Sequence, residues 1–223
     1  MPSQPEKVEV AALLTRLERL LPGVALSPQA LPLVPQVRLW LISELFADRP
    51  LEAEVINALM EEPPYWSFCW ASGQVLARYL LDNSELVRDR CVVDVGPGSG
   101  VVAIAAARAG ARRVIACDLD PDALAATAIN AGENQVEIEL SDDLDSALAV
   151  ADWVTAADIL YDRDNLPLLG RFREAGRVLL ADSRLPDLQP AGYRRLGSWP
   201  ATTWPDVGES QEFNQVRLFV SEP

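Results

Sequence analysis

Residues 91–118 read CVVDVGPGSGVVAIAAARAGARRVIACD, and no other stretch limits the fold as tightly. Cys91 to Val95 is a short, β-branched apolar run that carries one acid, Asp94. Gly96-Pro97-Gly98-Ser99-Gly100 is a glycine turn. Val101 to Ala111 is alanine-rich and apolar at helical spacing, and Val114 to Cys117 is a second apolar run that stops at Asp118. The order strand, glycine loop, helix, strand predicts a βαβ unit with a ligand loop at the carboxyl end of its first strand.

The dinucleotide fingerprint G-x-G-x-x-G requires a glycine at position 101, where this chain has Val101. A carboxylate at Asp94, just ahead of the loop, would repel a pyrophosphate seated there. It suits a ligand with a positive end, and S-adenosylmethionine carries both an ammonium and a sulfonium. Asp118 stands where a carboxylate takes ribose hydroxyls, about 20 residues after the loop. The competing reading is a structural βα turn with incidental acids.

The chain has 223 residues, room for one α/β domain with an N-terminal extension. No apolar run approaches the roughly 20 residues of a membrane span, and the polar, acidic start MPSQPEKVEV predicts neither a secretory signal nor a membrane partner. Cys69, Cys91 and Cys117 are odd in number and form no C-x-x-C, which predicts reduced thiols and a cytoplasmic location. The absence of histidine removes histidine triads, bases and metal ligands, and no metal is expected. A net charge of −14 disfavours nucleic acid as a partner. The charge either draws a basic protein surface or an amine, or serves solubility alone.

Along the chain, Glu6 to Leu21 predicts an amphipathic helix stopped by Pro22-Gly23. Residues 22–35 read as an irregular connector, with further helices over Gln36 to Phe46 and Leu51 to Met60, acting either as a lid or as packing on the sheet edge. Tyr65, Trp66, Phe68 and Trp70 crowd a loop before a helix over Gln74 to Leu81. Those rings are either core or walls of a site for a cation. Beyond Asp118 the pattern predicts a helix from Pro121 to Asn130 capped by Asp120, and strands over Val136 to Leu140, Trp153 to Ala157 and Arg177 to Ala181. A helix over Arg163 to Glu174 and tail strands near Tyr193 to Ser198 and Val216 to Val220 complete the reading. The fold class is α/β, a doubly wound, mostly parallel sheet. Asp94, Asp118, Asp142, Asp158 and Asp182 fall on its ligand edge.

VVDVGPGSG and VIACDLDP resemble class I, seven-strand methyltransferases that use S-adenosylmethionine. PPYWSFCWASGQVLARYLLDNSELV, AADILYDRD and VPQVRLWLISELF narrow the resemblance to the protein-lysine methyltransferases of the electron transfer flavoprotein β-subunit and their bacterial relatives, over residues 34–183. The resemblance implies a Rossmann-like, seven-stranded domain at 63–223 behind a helical extension at 1–62. It implies Trp70, Gly73, Asp94, Gly96, Gly98, Gly100, Asp118, Leu119, Asp142 and Ala157 around the cofactor S-adenosylmethionine. Asp158 and Tyr161 would be the catalytic pair facing the target lysine of a protein partner, with Trp66 also facing substrate. Pro97 departs from the cysteine or serine of many relatives, and stiffens the turn. Two alternatives stay open: another acceptor, ribosomal protein or small amine, and a cofactor-binding module without catalysis.

Overall fold

The computed structural model describes residues 4–43, 59, 61–206 and 208–222. Helix α1 (Gln4–Leu20) leads into strands β1 (Leu26–Ala30) and β2 (Arg38–Ile42). Then come α2 (Ala71–Asp82), β3 (Cys91–Val95), α3 (Val101–Arg108), β4 (Arg113–Cys117) and α4 (Pro121–Glu133). The chain continues through β5 (Glu139–Ser141), α5 (Leu144–Leu148), β6 (Trp153–Ala157), α6 (Leu168–Ala175), β7 (Arg177–Asp182), β8 (Tyr193–Pro200) and β9 (Gln215–Ser221).

Seven strands form one sheet in the order β5-β4-β3-β6-β7-β9-β8. The first five are parallel, and β9 is antiparallel to both β7 and β8. The chain leaves β3 toward β4 on one side and later returns to β6 on the other, so the loops after β3 and β6 part at the centre. That switch point is where doubly wound sheets open a crevice for ligands.

Side-chain alternation builds a core on each face. Val92, Val114, Trp153, Leu179 and Leu218 pack with α2 and α3. Val93, Ile115, Val154, Val178 and Phe219 pack with α5 and α6. A third core joins Leu13 and Leu17 of α1 to Ala126 and Ile129 of α4. Among the described residues no helix is long and apolar enough to cross a membrane.

The N-terminal region departs from expectation. Of the helix expected over Gln36 to Phe46, residues 36–43 are described and hold β2 instead, paired antiparallel with β1, which lies in the stretch expected to be irregular. Leu39 and Leu41 enter the core shared with α2 and α3, while Trp40 and Ile42 pack on the opposite side with α1 and α4, the two-sided alternation of a strand. Side chains of α4 complete the pairing of β2: Asn130 Oδ1 accepts from Trp40 N at 2.6 Å. Asn134 accepts from Arg38 N at 3.1 Å and donates to Arg38 O at 2.5 Å. Such partners 90 residues away are invisible to a local pattern. The helix expected over Leu51 to Met60 lies, but for Leu59, outside the described residues. The strand expected over Val136 to Leu140 shortens to β5, an edge strand with a single neighbour. The helix expected over Arg163 to Glu174 begins as a 3-10 turn, Arg163–Asn165, and becomes α-helical only past Pro167.

Candidate cofactor and acceptor site

The glycine loop runs from the end of β3 into α3, with Gly96 at φ 65°, Gly98 at 53° and Gly100 at 82°. Left-handed backbone of this kind is open to glycine at little cost. Gly96 also meets a steric limit, since a Cβ there would sit 2.9 Å from Ile159 Cγ2, where the loop after β6 crosses. Beside Gly98 a Cβ would meet nothing within 4 Å. Thr127 and Asn130 of α4 clamp the loop from below, donating to Gly98 O at 3.3 Å and Ser99 O at 2.9 Å.

Asp94 lies beneath this loop, only 1% exposed. Its Oδ1 accepts from Thr155 Oγ1 at 2.8 Å and its Oδ2 from Ala103 N at 3.0 Å. The side chain expected to suit the positive end of a ligand is thus bonded within the protein, where it ties the first turn of α3 to β6. Burial pushes it up to about 7, against those two donors, and the charge of Asp118 adds to the rise. Asp118 closes β4, and Asp118 N donates to Ser141 O at 3.1 Å, which stitches β4 to β5. Its Oδ1 accepts from Asp120 N at 3.0 Å. Burial raises its pKa, and the Asp120 N–H opposes the rise. Leu119, 87% exposed, and Asp142, also exposed, stand on the rim beside it.

Across the crevice the aromatic stretch divides. Trp66 is 3% exposed and packs with α1 and α4, so the expectation that it faces substrate is corrected. The 3-10 turn Tyr65–Ser67 turns Trp66 inward and leaves Tyr65 outside. Tyr65 sits 4.9 Å from Tyr161 and 5.7 Å from Trp70, ring centroid to ring centroid. Trp70 Nε1 donates to Tyr65 O at 2.9 Å, and Trp70 is the N-cap residue of α2. Tyr161 is 58% exposed, and its hydroxyl is pushed up chiefly by burial of its inner side, then by Tyr65 and nearby acids. It is therefore a neutral hydroxyl at neutral pH. Ala157, half buried, ends β6 beneath these rings. Gly73 is buried at the crossing of α2 and α3, where a Cβ would lie 2.9 Å from Val101 Cγ1.

Asp158 follows β6 in left-handed backbone, φ 53°, which costs a non-glycine residue of order 1 kcal/mol and marks functional sites. Its carboxylate is buried and already bonded. Oδ1 accepts from Ser72 Oγ at 2.7 Å and from Ser183 N and Oγ, both at 2.8 Å. Among the described residues Oδ2 takes a single bond, from Ser72 N at 3.3 Å. Asp158 thus joins the start of α2 to the end of β7 and keeps spare acceptor capacity on Oδ2. Ser72, Thr155, Ser183 and Arg184 were not marked by sequence reasoning, and Tyr65 was marked only as one of four rings that are either core or site walls. Ser72 lies inside a stretch that was marked, W-A-S-G-Q, and Ser183 follows the acid ending β7.

Solved structures share the fold. The ribosomal protein L11 methylase of Lactobacillus delbrueckii subsp. bulgaricus aligns at a TM-score of 0.51 and 26% identity, over 68% of this chain and 78% of that one. A model of the ribosomal protein L11 methyltransferase family, PrmA, matches residues 75–162, from α2 through the turn after β6. With the seven-stranded order and the glycine loop, these define an S-adenosylmethionine-dependent methyltransferase of class I. The chain is 38% identical over 140 residues to the electron transfer flavoprotein beta subunit lysine methyltransferase of Mus musculus, covering 59% of this chain and 55% of that protein. It is 30% identical over 181 residues to a Caenorhabditis elegans homolog of that enzyme, covering 71% and 72%. The chain belongs to the family of electron transfer flavoprotein β-subunit lysine methyltransferases. It spans about half the length of the mammalian relatives it matches.

Proposed function

We propose that the chain transfers a methyl group from S-adenosylmethionine to the ε-amine of a protein lysine, with the electron transfer flavoprotein β-subunit, or a protein like it, as acceptor. The observation that carries the reading is the Tyr65–Tyr161–Trp70 aromatic group with Asp158, on and beside the turn after β6 whose Ile159 packs against Gly96 of the glycine loop. Rings and a carboxylate receive an ammonium-bearing side chain.

The donor set fits the cofactor. Glycine-loop backbone with open space at Gly98 admits the methionine end, and the half-buried carboxylate of Asp118 takes ribose hydroxyls. When bound, S-adenosylmethionine supplies a methyl on a positive sulfur, which an amine lone pair takes as the carbon–sulfur bond breaks and its electron pair stays on sulfur. The chain's residues supply alignment, which is worth about 7–11 kcal/mol in well-oriented reactions. Gly96, packed on Ile159, fixes the distance between the loop and Asp158. Oδ2 of Asp158 and the hydroxyl of Tyr161 orient the amine. Lowering a lysine pKa from about 10.4 to about 7.4 requires about 4 kcal/mol, drawn from burial beside the aromatic rings and from nearby positive charge. The chain has no histidine, so the released proton passes to water.

A second reading, ribosomal protein L11 as acceptor, is favoured by the family model over residues 75–162 and by 33% identity with the Geobacter sulfurreducens L11 methyltransferase over 66% of this chain and 58% of that one. The family model spans the glycine loop and the strands on either side of it. We place the protein in the cytoplasm, where its three buried free thiols stay reduced, with domains dividing near residue 62. Incubating lysate protein with methyl-labelled cofactor and mapping label by mass spectrometry tests the proposal. Label on lysine is expected, and label confined to other groups, or none, would overturn it.

A further inference from the structure

A guanidinium already stands beside Asp158. Arg184 follows β7, and its side chain is 15% exposed. Its Cζ lies 5.1 Å from the centroid of Trp70 and 4.7 Å from that of Phe213. Nη1 donates to Glu209 Oε1 at 2.7 Å, and Nε is 4.0 Å from Asp158 Oδ1. Two rings and two carboxylates therefore surround one cation that cannot give up its proton. The connector between β8 and β9 holds this arrangement in place. Trp204 exchanges two backbone bonds with Cys69, each 2.8 Å, Gln74 donates to Thr202 O at 2.8 Å, and Thr203 Oγ1 donates to Glu209.

We infer that Arg184 is a positioning residue for methyl transfer, its fixed charge offsetting Asp158 so that an acceptor amine is oriented beside the carboxylate without being kept as an ammonium. The inference rests on the lysine-transfer reading. A carboxylate alone favours the protonated amine, and a neighbouring cation favours the neutral one that can attack. Without Arg184, the group that orients the amine would also hold it unreactive.

The charged and titratable groups around the pair come from several elements. Glu209 faces Arg184 from the β8–β9 connector. Asp182, at the end of β7, feels the charge of Asp158 and, with opposite sign, that of Arg217 on β9. Tyr161 lies among Tyr65, Asp118, Asp162 and Asp120. Helix α2 contributes the uncharged Ser72. Glu209 is thus the acid that competes most directly with Asp158 for the guanidinium.

The pH dependence of kcat, which reports groups in the enzyme–substrate complex, tests the inference, with purified electron transfer flavoprotein β-subunit at saturating concentration as acceptor. In Arg184→Met the rising limb is expected to move up by about one pH unit, because Asp158 then holds the amine's proton more tightly. In Glu209→Gln it is expected to move down, because the guanidinium loses a competing anion. Arg184→Lys, which keeps the charge, is expected to restore the wild-type midpoint. A part in packing alone would lower rate and melting temperature without moving the midpoints in opposite directions, and unmoved midpoints overturn the inference. Should Arg184→Met fail to fold, Glu209→Gln decides: a downward shift supports the inference, and an unmoved or upward midpoint overturns it. A wild type that labels no lysine overturns the functional reading and this inference with it, whereas an active wild type with unmoved variants overturns the inference alone.

Discussion

At the scale of the residue, two acids of the site do their work while buried. Oδ1 of Asp158 serves three donors from Ser72 and Ser183, and hydrogen bonds to a charged group contribute about 1.5–3 kcal/mol each. In Asp158→Asn the amide oxygen can keep those three donors, but the amide nitrogen cannot accept and must face Ser72 N, which donates to Oδ2 at 3.3 Å. We expect a lower melting temperature, by several degrees at about 2–4 °C per kcal/mol, together with loss of methyl incorporation. Thermal melts and label incorporation check this, and an unchanged melting temperature would show that the serine bonds contribute little. Asp94 adds a dependence on pH. Its carboxyl is raised from 3.8 to about 7, so the folded state holds a proton that the unfolded chain has released. Its stabilising share is complete below 3.8 and is lost as pH rises toward about 7, by at most about 1.4 kcal/mol per pH unit. Asp182, raised to about 6, acts with the same sign. The drop in melting temperature between pH 4 and pH 8 should therefore be smaller in Asp94→Asn than in the wild type, and an equal drop would remove Asp94 as its source.

At the scale of the element, the βαβ unit from β3 to β4 was legible because its cues are local: a β-branched run, positive-φ glycines, and alanines at helical spacing. The cap by Asp120 was legible for the same reason, and its side chain accepts from Asp122 N at 2.8 Å. β2 was not, since R-L-W-L-I is too short for period two to exclude a helix and its side-chain partners are Asn130 of α4 and Asn134, the residue that caps that helix. The role of Trp66 was hidden likewise, because which of four neighbouring rings turns inward depends on a 3-10 turn and on the shape of the core below. Arg184 and Glu209 lie 25 residues apart and meet only because β9 returns beside β7. A test at this scale is Asn134→Ala, which removes the bonds to both backbone groups of Arg38 and the bond from Arg108. We expect a loss of about 1–3 kcal/mol, read from denaturant midpoints, with a less than additive loss when Asn130 is replaced as well.

At the scale of the whole molecule, the charge of −14 sets how partners arrive. Exposed acids at Asp120, Asp142, Asp143 and Asp162 stand along the ligand edge, so the field near the crevice attracts a basic acceptor. Salt shortens the reach of that field to about 10 Å at 0.1 M. We expect kcat/KM for a basic protein acceptor to fall as salt rises while kcat holds, measured by label incorporation over a salt series. A kcat/KM flat with salt would leave the charge a matter of solubility.

The asparagine clamp on β2 also bears on how the chain is made. Arg38 leaves the ribosome 96 residues before Asn134, its partner. At about 5–20 residues per second the hairpin waits roughly 5–20 s for that helix. Val37, Leu39 and Leu41, fully buried in the finished molecule, share their core with α2 and α3, which emerge before α4. During synthesis the hairpin's side chains thus find their core first, and the backbone groups of Arg38 and Trp40 stay with water until Asn130 and Asn134 arrive.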